Sequence, residues 1–124
     1  MREFIGGNMK EIVRTETGTL WVGEENRGKT LMLMADTEED TMDVIQIGIS
    51  WDSLKKLKQR SARKVFEWEI KDGSLKVHGR NDKWKLTLKS LQLPISIDLM
   101  LSVDETKRLQ EALWSTSGKA QATH

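Results

Sequence analysis

Apolar and polar residues alternate along much of this chain, a pattern typical of antiparallel strands that bury one face. The alternation is clearest in residues 66–88, where the turn-forming dipeptides Asp72-Gly73 and Asn81-Asp82 separate three runs. Hairpins centred on these two turns agree on which face is apolar, and a slip of one residue would reverse the faces. The predicted apolar pairs are Ile70–Leu75, Trp68–Val77, Phe66–Gly79, Gly79–Trp84, Val77–Leu86 and Leu75–Leu88.

A fourth strand and a helix are predicted after these hairpins. Residues 93–101 form the strand, with Pro94 near its start, where a missing N–H does least harm. Ser102 and Glu105 form a Ser-x-x-Glu capping box at the beginning of the helix. The apolar stripe of this helix consists of Leu109, Ala112 and Leu113. The second half of the chain is therefore predicted to be β-β-β-β-α.

The first half of the chain repeats this plan. The residues Gly18 to Val22, Leu31 and Leu33 recur 55 positions later as Gly73 to Val77, Leu86 and Leu88. The residues Ile49 to Asp52 recur as Leu101 to Asp104 at an offset of 52, which indicates that about three residues have been lost from one connecting loop. Strands are predicted near residues 9–15, 19–24, 30–36 and 42–49, followed by a helix capped by Ser50.

These patterns predict an α+β fold in which antiparallel sheets pack against two helices. We expect a single domain over residues 1–124, made of two β-β-β-β-α repeats at about 9–61 and 62–115. Residues 116–124 are mostly small and polar, and we predict that they form a flexible tail.

The tandem β-β-β-β-α layout resembles the Whirly and Pur-alpha class of single-stranded nucleic-acid-binding proteins. The segment Leu20-Trp21-Val22-Gly23-Glu24-Glu25-Asn26-Arg27-Gly28 is similar to the strand and Asn-containing turn of Pur-alpha-type repeats. The resemblance implies a Whirly/Pur-alpha-like fold, single-stranded DNA or RNA as the partner, and assembly of the protein into oligomers.

Composition and charge bear on the cellular compartment of the protein and on the surfaces of its two repeats. The chain has no cysteine, and it contains neither an apolar run long enough to span a bilayer nor a signal-length apolar stretch at its N-terminus. We therefore expect a cytoplasmic protein without membrane attachment. Charge is uneven: residues 1–50 hold 5 Lys/Arg against 10 Asp/Glu, whereas residues 51–90 hold 12 against 5. The two repeats thus differ in sign.

The basic residues of the second repeat are predicted to share one face of its sheet. Strand alternation places them opposite the apolar face, with Arg80 beside Lys83 and His78 beside Lys85. The candidate nucleic-acid-binding residues are Lys76, His78, Arg80, Lys83, Lys85 and Lys89. Neighbouring like charges on paired strands need solvent screening or an anionic partner. The face is therefore either a solvated surface or a phosphate-binding surface.

The corresponding face of the first repeat is apolar instead. Trp21, Met32 and Met34 occupy the positions that the alignment gives to Lys76, Thr87 and Lys89. Three interpretations are open for this stripe: packing between subunits or repeats, a platform for stacking bases, or simple core. We expect an interface at this stripe, and hence a homodimer or a higher even-numbered assembly.

Catalysis has little support in the sequence. His78 is the one histidine away from the C-terminal residue, so a zinc site or a nucleophile–histidine pair is hard to assemble. The acidic residues Glu38, Glu39, Asp40 and Asp43 lack a recognisable metal-ligand spacing and are interpreted as a solvated turn. We expect no enzymatic activity, no cofactor and no metal.

The residues therefore suggest two functions. The first is non-catalytic binding of single-stranded DNA or RNA, with phosphates on the basic sheet face and bases stacked on aromatic groups at its margin. The alternative is a protein-interaction or assembly module that does not bind nucleic acid.

Overall fold

The computed structural model describes residues 9–25, 30–37 and 44–122. Its strands and helices are β1 (Lys10–Arg14), β2 (Thr19–Glu25), β3 (Thr30–Asp36), β4 (Val44–Ser50), α1 (Trp51–Arg60), β5 (Val65–Glu69), β6 (Leu75–Arg80), β7 (Lys83–Lys89), β8 (Ser96–Met100) and α2 (Val103–Ala122). The strands form two antiparallel sheets, β1-β2-β3-β4 (sheet A) and β5-β6-β7-β8 (sheet B). Each sheet is followed by a helix, so the α+β class and the β-β-β-β-α repeat are confirmed.

Sheet B has the predicted register. Phe66 pairs with Gly79, and Gly79 pairs with Trp84, as the two turns required. Asn81 and Asp82 have φ angles of 54° and 65°, the left-handed conformation that a two-residue hairpin turn of this type needs at both positions. Asparagine and aspartate adopt it more readily than other side chains do, which explains their presence here.

The other turn of sheet B is built differently from expectation. Gly73 has a φ of 78°, but Asp72 does not share the left-handed conformation that the dipeptide suggested. The Asp72 carboxylate instead accepts hydrogen bonds from the Ser74 N–H at 2.9 Å and the Ser74 hydroxyl at 2.7 Å. These two bonds lower the pKa of Asp72 from its ordinary value of 3.8, with the hydroxyl as the larger cause. Asp72 therefore stabilises the turn through hydrogen bonds of its side chain and not through a left-handed backbone.

The strand pairs correct the alignment of the two repeats. Val22 pairs with Leu33 in sheet A, whereas its counterpart Val77 pairs with Leu86 in sheet B. Leu33 is therefore equivalent to Leu86, at an offset of 53 and not 55. The shift follows from the turns, because four residues join β2 to β3 but two residues join β6 to β7.

A second shift lies between the third and fourth strands of each repeat. Seven residues, 37–43, join β3 to β4, whereas six residues, 90–95, join β7 to β8. The offset therefore falls from 53 to 52 at this connection. The three residues are lost from two loops, so the expectation of a single shortened loop is wrong.

Both repeats contribute to one hydrophobic core. Buried side chains from the inner faces of both sheets and from both helices form a single cluster. Contacts cross between the repeats, since α1 touches β5 and α2 touches β1. The Thr17 hydroxyl, in the turn before β2, also donates a hydrogen bond to the Asp98 carbonyl of β8 at 2.7 Å. The two repeats are thus interdependent halves of one packed unit.

Aromatic rings fill the core of the second repeat. The rings of Phe66 and Trp84 meet edge to face at 5.8 Å, with Gly79 between them in the sheet. A Cβ atom at Gly79 would overlap the Phe66 ring, so glycine is required there. Trp84 also meets Trp114 of α2 at 6.2 Å, which seals the seam between helix and sheet.

Both helices begin at the predicted caps. The Ser50 side chain accepts a hydrogen bond from the Ser53 N–H at 3.1 Å at the start of α1. Ser102 and Glu105 form the reciprocal bonds of a capping box at the start of α2. On α2, Leu109 and Leu113 are buried as expected.

Two predicted boundaries differ from the structure. The fourth strand of the second repeat begins at Ser96, so Pro94 lies in the preceding bend and not in the strand. Helix α2 extends to Ala122, into the segment 116–124 that the sequence predicted to be a flexible tail. Among the described residues, no helix is long and apolar enough to cross a membrane.

Candidate functional site

The predicted basic residues lie together on the outer face of sheet B, the face opposite the core. Strand β6 contributes Lys76, His78 and Arg80, and β7 contributes Lys83, Lys85 and Lys89. Arg80 pairs directly with Lys83, and His78 pairs with Lys85. Both strands are central in the sheet, so the cations are held on a hydrogen-bonded scaffold. We call this surface the basic face.

Charge is distributed unevenly along the basic face. At the end next to the Asn81-Asp82 turn, Arg80, Lys83 and Lys85 are all exposed. At the other end, Glu69 pairs with Lys76, and Asp98 pairs with Thr87. Opposite charges alternate there and offset one another. The excess of positive charge is therefore concentrated at one end, which we call the cationic end.

The cationic end has few acidic neighbours. Among the described residues, the one contact on this face between a basic and an acidic side chain joins His78 Nε2 to Glu67 Oε2 of the flanking strand β5 at 3.5 Å, and it is an ion pair only when the imidazole is protonated. Both side chains are substantially exposed, so this pair contributes little stability. Arg80, Lys83 and Lys85 thus remain available to an anion from solution.

Lys89 stands apart from this group. It lies four residues along β7 from Lys85, roughly 13 Å away at the usual rise of a strand. Its backbone N–H donates to the Ser74 carbonyl at 2.8 Å, next to the Asp72 turn. The sequence placed Lys89 on this face one step further along the strand, and in the structure it lies at the end of β7 opposite Lys83.

Two exposed apolar side chains flank the cationic end, and the sequence interpretation missed both. Val65 on β5 is 64% exposed and pairs with Arg80, whereas Met100 on β8 is 72% exposed and pairs with Lys85. A depression of about 390 Å³ is lined by Met100, by Trp84 and by cations of this end, and Val65 lies outside it. The signal for Met100 was present, because it occupies an outward position in an alternating strand where a polar residue is expected.

The aromatic margin that we expected around the basic face is not found among the described residues. Trp68 and Trp84 are 8% and 3% exposed on the core side, as the alternation predicted. Trp114 packs on Trp84, and Lys58 Nζ lies 5.6 Å from the centre of the Trp114 ring. The tryptophans of sheet B are therefore not exposed on this face, where the exposed apolar side chains are Val65 and Met100.

The outer face of sheet A corrects the predicted interface. Trp21 and Met32 are partly buried, but Met34 is 0% exposed within the single chain. Its sulfur accepts a hydrogen bond from Gln46 Nε2 at 3.7 Å. Met34 is therefore already covered and cannot provide contact area for a second subunit.

The corrected alignment also changes the equivalences of these residues. Trp21 pairs with Met34 as Lys76 pairs with Thr87, so Met34 corresponds to Thr87 and not to Lys89. Met32 corresponds to Lys85 for the same reason.

Metal ligation and catalysis gain no support from the described geometry. Within residues 9–25, 30–37 and 44–122, no group of three or more His, Asp or Glu side chains is placed to hold a metal ion. The acidic residues Glu38, Glu39, Asp40 and Asp43 lie outside the described residues, as do Asn26, Arg27 and Gly28 of the Pur-alpha-like segment.

Comparison of the chain with protein-family models, with curated proteins and with solved structures finds no match.

Proposed function

We propose that this protein binds single-stranded DNA or RNA through the basic face of sheet B and that it does so without catalysis. The observation that supports the proposal is the pairing of Arg80 with Lys83 and of His78 with Lys85 at the cationic end. Neighbouring cations on paired strands repel one another, and a polyanion removes that cost. Clustered Lys and Arg on one face are the usual electrostatic footprint of a nucleic-acid-binding protein.

The binding mechanism combines phosphate contacts with apolar contacts to bases. Lys83 and Lys85 lie on β7 and project from the same face, so they contact successive phosphates of a strand that crosses the sheet. Val65 and Met100 stand on either side and offer apolar surface to unpaired bases. A duplex hides its base faces, so these contacts favour single strands.

The repeat architecture supports the same proposal. Two β-β-β-β-α units in tandem are the layout on which the resemblance to the Whirly and Pur-alpha class rests. That this chain is a member of that class is part of our proposal.

The test is a charge reversal at the cationic end, measured by fluorescence anisotropy with a labelled single-stranded oligonucleotide. Lys83→Glu combined with Lys85→Glu is expected to raise Kd by about a hundredfold, or ~2.8 kcal/mol at 1.4 kcal/mol per tenfold. Loss of two phosphate contacts should also reduce the slope of log K against log salt by about 1.4. Both side chains are exposed, so the fold is expected to be retained.

The matched control is Lys107→Glu combined with Arg108→Glu. These residues are exposed on α2 and carry the same charge, so the net change is identical but its place differs. We expect the control to bind within about threefold of wild type, because only screened long-range charge is lost. Equal weakening by both double variants would show that net charge, and not this face, governs binding. No affinity in wild type at low salt would refute the proposal.

The alternative, a protein-interaction module, is favoured by one specific observation. Val65 and Met100 are exposed apolar residues beside cations, and interfaces between proteins also combine apolar groups with charged ones. It predicts salt-sensitive association with a protein and no oligonucleotide affinity. A pull-down from nuclease-treated and untreated lysate separates the two, since loss of every partner after nuclease treatment supports nucleic-acid binding.

A further inference from the structure

Strand β4 is an open edge of sheet A. In the order β1-β2-β3-β4 it lies at one end, and among the described residues it is hydrogen-bonded to β3 alone, although α1 and β7 also contact it. The outward-facing N–H and C=O groups of an edge strand are a template for another strand. Proteins usually protect such edges with charged side chains, with proline or with a covering element.

The other three edge strands carry such protection. Thr17 donates a hydrogen bond to the Asp98 carbonyl of β8, and Arg60 donates one to the Glu67 carbonyl of β5 at 3.1 Å. Strand β1 is contacted by α2 and contains three charged residues. Strands β5 and β8 also contain Asp or Glu. Each of these edges is therefore covered, charged or both.

Strand β4 has no charged residue. Its sequence, Val-Ile-Gln-Ile-Gly-Ile-Ser, spans Val44–Ser50 and contains neither proline nor a basic or acidic side chain. Alternate residues Ile45, Ile47 and Ile49 are buried in the core, whereas Gln46 and Gly48 are exposed on the outer face. An uncharged strand of seven residues with its edge open is what an edge-to-edge partner requires.

A groove of about 460 Å³ runs beside this edge. Residues 44–48 of β4 form one side of it, and the connection between β7 and β8 forms the other. On that connection Leu91 is 64% exposed and Leu93 is 58% exposed. The groove also contains one acid, Asp72, and one base, Lys89, so its charged side chains balance. Neutral charge disfavours nucleic acid here and suits an uncharged strand.

We propose that β4 pairs antiparallel with β4 of a second copy of this chain, about a two-fold axis, to form a continuous eight-stranded sheet. A two-fold axis through Ile47 places Gln46 opposite Gly48 of the second copy, so the amide side chain faces a residue without one. No charge meets a like charge across this seam. Because the groove has no net charge, the same groove of a second copy can face it without repulsion, as an isologous contact requires.

Leu91 and Leu93 complete the interface. Pairing of two short strands alone buries less than the roughly 1,200 Å² of a stable interface. The exposed leucines lie across the groove from β4, where an added strand covers them. Lys89 lines this groove, but the residues of the cationic end, Arg80, Lys83 and Lys85, do not, so the dimer does not depend on the proposed nucleic-acid binding.

The test measures the mass of the protein by sedimentation across micromolar concentrations, together with hydrogen exchange of the β4 amides. Wild type is expected to approach twice the chain mass of 14.2 kDa. Gln46→Lys places a lysine at the edge and two lysines near the axis, so the dimer Kd is expected to rise at least about tenfold. The β4 amides should exchange faster in this variant because their intermolecular bonds are lost.

Gln59→Lys is the matched control, since Gln59 is exposed on α1 and undergoes the same substitution away from β4. It is expected to dimerise as wild type does. Leu91→Ser combined with Leu93→Ser is a second probe that leaves β4 unchanged and is expected to weaken the dimer. A monomeric wild type, or a dimer that survives both sets of changes with unaltered β4 exchange, would overturn the proposal.

Discussion

The two repeats share one backbone plan but present opposite outer faces. In sheet A the pair Trp21–Met34 occupies the position that Lys76–Thr87 occupies in sheet B. Met34 is completely buried, whereas Thr87 is half-buried and surrounded by charged residues. The inner faces of both sheets contribute to one buried apolar core. The comparison shows that the core constrains one face of a duplicated sheet and leaves the other free to acquire a different role.

The two inner faces also reach similar packing by different means. Gly79 of sheet B pairs with the large Trp84, while the equivalent pair of sheet A is Glu24 with Leu31. In the second repeat the bulk comes from Phe66 and Trp84 on the two strands beside Gly79, whereas in the first repeat Leu31 lies opposite a partly buried Glu24. In a densely packed core, the size of a residue therefore depends on the size of its strand partner and not on its position in the repeat.

The largest expected effect comes from introducing a lysine at the same position on the outer face of each sheet. Met34→Lys buries an ammonium group in a fully covered site and is expected to lower the free energy of unfolding by about 4 kcal/mol. Thr87→Lys makes the same change at the equivalent position of sheet B and is expected to stay within about 0.5 kcal/mol of wild type. Urea unfolding measures both, and equal losses would contradict the difference between the faces.

An intermediate effect is expected at the glycine that distinguishes the inner faces. Gly79→Ala introduces a Cβ atom into the space of the Phe66 ring, and overpacking of this kind is expected to cost about 2 kcal/mol. Adding Phe66→Leu makes room and should recover part of that loss in thermal or urea unfolding. Ser96→Ala, at an exposed position of β8, is the control and should change stability little. A neutral Gly79→Ala would show that the ring moves aside freely.

The smallest effect separates the two equivalent turns by their pH dependence. Asp72→Ala removes the carboxylate that holds Ser74 and is expected to cost about 0.5–1 kcal/mol at neutral pH, since solvent screens this exposed group. The pKa of Asp72 is lowered by folding, so its ionised form adds stability above about pH 3.8. That stability is lost as pH falls through the lower pKa of the folded state. The difference between wild type and variant should therefore shrink in acid.

Thr17→Ala is the counterpart in the first repeat. It removes the hydrogen bond from the Thr17 hydroxyl to the Asp98 carbonyl, and no titrating group takes part in that bond. Its cost should be constant between pH 7 and the acid range in unfolding curves measured across pH. A Thr17→Ala cost that fades in acid as the Asp72→Ala cost does would show that the pH effect is not specific to Asp72.

The sequence by itself determined what local chemistry controls. Alternation, the Asn81-Asp82 turn and the two serine caps predicted both sheets, the register of sheet B and the start of each helix, because each signal acts within a few residues. The same alternation predicted which side of sheet B carries Lys83, Lys85 and Arg80, since the period of a strand assigns every residue to a face.

Tertiary structure decided the features that depend on contacts between distant residues. Burial of Met34 on the outer side of its sheet, exposure of Met100 beside the basic residues, and the hydrogen bonds of Thr17 and Arg60 to edge-strand carbonyls all depend on elements that meet only after folding. The alignment of the repeats belongs here as well, because strand partners and not sequence offsets make Leu33 the counterpart of Leu86. Alternation specifies a face, but what covers that face depends on packing between segments far apart in the chain.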